Sequence, residues 1–130
     1  MSYYMSTMLS IPFPEAISRT EAALQKEGFG VLTSIDISQT LKKKIDVDFR
    51  PYVILGACNP NLAYEALKLE SKVGAMLPCN VVVQQLDTGE IEVAATDPVA
   101  SMQAIENPEL KVAAAEVREK LSRVIADLSA

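Results

Sequence analysis

The stretch Tyr52-Val-Ile-Leu-Gly-Ala-Cys58 constrains the fold more than any other, because it is apolar along its whole length and does not alternate. A half-exposed strand alternates apolar and polar side chains, since successive residues point to opposite faces of a sheet. A uniform run of this length predicts a strand covered on both faces or set in the middle of a sheet, and we read it as the central strand. The remainder of the chain must supply strands to flank it and helices to cover it.

Those elements are legible on either side. Tyr3, Met5, Thr7, Leu9 and Ile11 recur at every second residue, and so do Phe29, Val31, Thr33, Ile35 and Ile37, predicting two strands. Between them, Pro14 is suited to open a helix, and Ile17, Thr20 and Leu24 follow at helical spacing up to Gly28. Ser38 is an N-cap candidate for a short helix over residues 39–45. After the apolar run, Asn59-Pro60 combines a capping side chain with a residue that needs no amide donor. It predicts a helix that carries Leu62, Ala63, Ala66, Leu67 and Val73 inward and ends at Gly74.

Residues 79–86 and 91–96 read as two strands joined by Asp87-Thr88-Gly89-Glu90, a hairpin signal. Asp97-Pro98 and Asn107-Pro108 repeat the cap-and-proline start and open a short helix and a long one. The predicted order is β-α-β-α-β-α-β-β-α-α. With no Pro/Gly/Ser-rich linker in 130 residues, residues 1–130 form a single domain. The simplest layered solution is an α+β fold in two layers, a mixed β-sheet with helices mainly on one face.

On the last helix, Leu110, Ala114, Val117, Leu121, Val124 and Leu128 form a heptad-like stripe, widened by Ala113 and Ile125. Two readings of it stand open: a helix docked on its own sheet or a seam between two copies.

Charge and composition exclude several functions. The 17 acidic residues outnumber 12 basic ones, for a net charge of -5. Such a surface repels nucleic acid and anionic lipid, so neither nucleic acid nor membrane is an expected partner. Lys42, Lys43 and Lys44 point in three directions on a helix and read as a solvated face. Asp36, Asp46, Asp48 and Arg50 read as solvated loop charges, without the oxygen ligands that a hard cation would need. No apolar run reaches the roughly 18 residues of a membrane span, and residues 1–10 lack the basic start of a secretory signal. A cytoplasmic location with reduced thiols is the expectation.

The chain has no histidine, which removes the commonest general base and metal ligand and every Ser/His or Cys/His nucleophile. What remains is two cysteines in related settings, Cys58-Asn59-Pro60 and Pro78-Cys79-Asn80. Cys58 precedes a helix N-terminus, whose free amides favour thiolate, so it is expected to be the more reactive of the two. We place a candidate ligand-binding site at these strand ends, formed by Cys58, Asn59, Pro60, Pro78, Cys79 and Asn80. No cofactor is expected there. The alternative is thiol redox chemistry or a soft-metal site for copper(I) or zinc using Cys58 and Cys79. A third reading makes both cysteines small buried hydrophobes. A parallel crossover between their strands would put the two thiols at opposite ends and keep them apart; an antiparallel pairing or a second subunit would bring them together.

Leu55-Gly-Ala-Cys-Asn-Pro60, Ala63, Leu67, Gly74, Leu77-Pro-Cys-Asn-Val-Val-Val83 and Asp97-Pro98 together resemble the domain of unknown function 302 family. The resemblance runs from the first strand to Asp97-Pro98. It implies a small α+β fold that pairs with a copy of itself, and it gives Asn59, Pro60, Pro78 and the cysteines weight within the family. It implies no particular activity, and a non-catalytic or accessory homodimer binding a small molecule is the expectation that follows.

Overall fold

A computed structural model describes residues 2–130. The order of elements is as expected. It runs β1 Tyr4–Leu9, α1 Phe13–Lys26, β2 Gly30–Asp36, α2 Ile37–Ile45, β3 Tyr52–Cys58, α3 Pro60–Leu69, β4 Cys79–Gln85, β5 Ile91–Thr96, α4 Pro98–Ser101 and α5 Pro108–Ser129. A 3₁₀ helix over Ser71–Met76 lies between α3 and β4. The α+β class and the two layers hold.

The sheet is antiparallel throughout rather than mixed, with strand order β1-β5-β4-β3-β2. A parallel β3–β4 pair, one of the two arrangements left open, would require the connection to carry the chain back to the start of β3. Instead α3 has ten residues and the 3₁₀ segment six, lengths of about 15 and 12 Å that allow the chain to travel out and back. β4 therefore begins where β3 ends, with Cys79 opposite Ala57. The middle strand is β4, and the apolar run of β3 lies beside it.

One face of the sheet carries the core. Val53, Leu55 and Ala57 of β3, Cys79, Val81 and Val83 of β4, and Ile91, Val93 and Ala95 of β5 are buried there against α1 and α5. Leu121, Val124, Ile125 and Leu128 seal the stripe of α5 onto this sheet, so the stripe is internal to the chain and is not a seam between copies. A smaller cluster of Ala66, Val73, Met102, Leu110 and Ala114 packs beneath α3 and the start of α5.

Local signals hold with three adjustments. The N-cap of α2 is Asp36, whose Oδ1 accepts from the Gln39 amide at 3.0 Å and from Ser38 Oγ at 2.8 Å; Ser38 is already inside the helix. Leu67 is exposed rather than inward-facing. Gly74 lies within the 3₁₀ segment, and α3 stops five residues earlier. The β4–β5 hairpin turns on Gly89 at φ +90°, a conformation that favours glycine. No helix among the described residues is long and apolar enough to cross a membrane.

Candidate functional site

An apolar cavity of about 270 Å³ lies where the main core meets the smaller cluster. Its floor is the end of the β3–β4 ladder, with Ala57, Cys58 and Cys79, together with Pro78. Its walls are α3, with Ala63 and Ala66, and α5, with Ala113, Ala114 and Val117. The exposed Leu32 and half-buried Leu62 and Asn59 also border it. Four alanines on two facing helices explain the space, because short side chains leave the gap between helices unfilled.

The six site residues divide among three places. Cys58, Asn59, Pro78 and Cys79 border the cavity. Pro60 does not; it is exposed as the first residue of α3, where its missing amide costs nothing. Asn80 is the next residue along β4 from Cys79, and the pleat turns it to the opposite face of the sheet, among Tyr4, Thr96 and Val82. Tandem Cys-Asn motifs thus do not place both asparagines in one site.

Asn59 has both ends of its amide engaged. Its Oδ1 accepts from the Leu62 amide at 3.4 Å, capping α3, and its Nδ2 donates to the Glu27 carbonyl at 3.3 Å. The second bond ties α3 to the turn after α1, where Gly28 sits at φ +84° with Asn59 Nδ2 only 3.0 Å from where a Cβ would be. Asn59 therefore shapes the mouth of the cavity, with one of its two N–H donors and one acceptor position committed to the fold.

Both cysteines are free thiols; Cys58 is half-buried and Cys79 buried. Burial pushes the Cys79 thiol up to about 11, and the charge of neighbouring Cys58 adds to the effect. At neutral pH Cys79 is a protonated, apolar wall group. The antiparallel ladder does bring the two cysteines close, as a parallel crossover would not have. Among the described residues no group of three or more Cys, Asp or Glu side chains is arranged to hold a metal ion.

Phe29 and Met102, together with the α5 residues, were absent from the sequence-based site. They come from segments far apart in the chain and carry only core signals. The adjacent Ala113 and Ala114 offered one clue, since short side chains stand there in a stripe otherwise built from Leu, Val and Ile.

Comparison with known proteins agrees with the fold. No curated protein matches the chain. A solved structure, the crystal structure of an uncharacterized conserved protein DUF302 from Bacillus stearothermophilus, superposes with a TM-score of 0.91. It is 32% identical in sequence, and the match covers 100% of both chains. The model of the family described as Domain of unknown function DUF302 matches residues 5–128, nearly the whole of the fold built above, and the chain belongs to that family.

Proposed function

We propose that this protein is a non-catalytic or accessory homodimer of the cytoplasm that binds a small, neutral, apolar ligand in the cavity beside Cys58 and Cys79. The observation that carries this reading is the cavity itself, at about 270 Å³ with walls almost wholly apolar. A dry apolar cavity of roughly 150 Å³ is enough to take up benzene, so this one suits a group larger than a single ring or a short branched chain. The protonated Cys79 and the neutral amide of Asn59 add no charge to the wall, which disfavours an ionised ligand.

The rival reading uses the proximity of Cys58 and Cys79 for redox or soft-metal chemistry. The antiparallel register supports it, but the burial that keeps Cys79 protonated weighs against it, because thiolate is both the nucleophile and the metal ligand. The apolar-ligand reading is therefore preferred.

N-phenyl-1-naphthylamine, a neutral fluorophore that brightens in apolar surroundings, tests it. Saturable fluorescence with the wild-type protein, lost in Ala63→Phe, is the expected result, because the larger side chain fills the cavity from α3. A wild-type protein that shows no saturable signal would rule the reading out.

A further inference from the structure

The face of the sheet away from α1 and α5 is uncovered at its margins. Tyr4 (43% exposed) and Ile35 (46%) stand on its two edge strands, and half-buried Ile54 and Val82 lie between them. A face that mixes exposed Tyr4, Met8 and Ile35 with Asn80, Gln84, Glu92 and Thr96 has the composition of an interface between proteins. We infer that it is covered by a second copy of this chain, packed sheet to sheet about a two-fold axis lying along β4. The inference rests on the homodimer in the reading above and adds which surface pairs and how.

The ladder registers carry the argument. Three rows cross the open face in the strand order β2, β3, β4, β5, β1, so a two-fold along β4 lays β3 of one copy over β5 of the other and β2 over β1. In the middle row, Ile54 of β3 then meets Ala94 of β5, and Ile35 of β2 meets Ser6 of β1. In the row containing Gly56, Thr33 meets Tyr4, while Gly56 itself lies under the chain's own Thr33 and Pro78 and takes no partner side chain. In each of these three off-axis pairs the larger side chain faces a markedly smaller one, as interdigitation between two packed sheets requires.

The third row adds charge. Arg50 is held beside the start of β3, its guanidinium 4.4 Å from the Phe49 ring centre, and its Nε donates to Gln84 Oε1 at 2.8 Å. Gln84 Nε2 in turn donates to Glu92 Oε1 at 2.9 Å. Arg50 and Glu92 thus lie on opposite sides of β4, joined only through an amide, and neither is in an ion pair among the described residues. The same two-fold sets Tyr52 of each copy over Glu92 of the other and brings Arg50, whose guanidinium lies 5.9 Å from the Tyr52 ring centre, toward that carboxylate. Two such contacts form by symmetry, and their charges are opposite.

The test is complementation between two single variants, Arg50→Glu and Glu92→Arg, followed by sedimentation velocity and with circular dichroism to confirm folding. Each variant alone sets like charges against each other twice and is expected to be monomeric at concentrations where the wild type is dimeric. Mixed together they form a dimer, because every cross-copy contact again pairs opposite charges. A contact acting within one chain could not produce that rescue. The double variant, in which the Gln84 amide can turn to serve the reversed pair, is also dimeric. A monomeric wild type would overturn the homodimer reading and this inference with it. A dimeric wild type whose single variants stay dimeric would place the interface on another surface, and folded single variants that remain monomeric on mixing would overturn the two-fold along β4.

Discussion

Cys79 lies opposite Ala57 in the β3–β4 ladder, one residue from Cys58, so two cysteines 21 positions apart in sequence border one cavity. Their environments differ, and the difference can be measured. Cys79 holds its proton to about pH 11 in the folded state against 9.0 ordinarily. The folded protein therefore binds this proton more tightly than the unfolded chain. The resulting stability is fully present below pH 9 and is lost as pH rises through 11, an effect of about 2–3 kcal/mol. Urea denaturation between pH 8 and 11 should show a steeper loss for wild type than for Cys79→Ala, and parallel curves would contradict the burial argument. A thiol reagent at pH 8 should modify the half-buried Cys58 before Cys79.

Gly56 has no room for a side chain. A methyl group there would collide with the Thr33 hydroxyl and approach Pro78 Cγ to 2.8 Å. Gly56→Ala is expected to cost about 1–3 kcal/mol through overpacking. Gly74→Ala is the control, since nothing lies within 4 Å of its added methyl, and a change of no more than about 1 kcal/mol is expected. Thermal melts of the two variants decide the matter: equal melting temperatures would mean that the close approach of Thr33 and Pro78 to Gly56 carries no energetic weight.

Asp97 is buried and serves two elements at once. Its Oδ1 accepts from the Val99 and Ala100 amides, capping α4, while its Oδ2 accepts from Arg118 Nε on α5 at 2.9 Å. Arg118→Ala leaves a buried carboxylate without its cation and should destabilise the fold by about 2 kcal/mol. The guanidinium is half-exposed and can return to water, so the cost falls on the carboxylate side. Asp97→Ala loses the cap as well and should cost more than Arg118→Ala in chemical denaturation. The reverse order would show that a buried carboxylate left without its cation costs more than the cap contributes.

Local chemistry made much of the fold legible. The order of all ten strands and α-helices follows from periodicity and from the cap-and-proline pairs at residues 59–60, 97–98 and 107–108, each of which opens a helix as expected. These signals act over a few residues, and tertiary packing does not reverse them. The displaced cap of α2 shows the limit of such reasoning: Asp36 and Ser38 are both good caps, and the choice depended on where β2 ended. The candidate site was legible in part, since four of its six residues border one cavity. Pro60 and Asn80 do not, because one is fixed by a helix start and the other by the two-residue period of a strand.

What the sequence determined by itself was therefore the kind and order of elements, the absence of histidine chemistry, and the two strand ends around which a site could form. What only the tertiary structure decided was direction and company. Whether β4 returned parallel or antiparallel depended on how far α3 and the 3₁₀ segment carried the chain before it turned back. That turn placed Cys79 near Cys58, laid the alanines of α3 opposite those of α5, and left the space between them. A cavity is a property of residues that face one another across the fold, and no local pattern along the chain encodes which residues those will be.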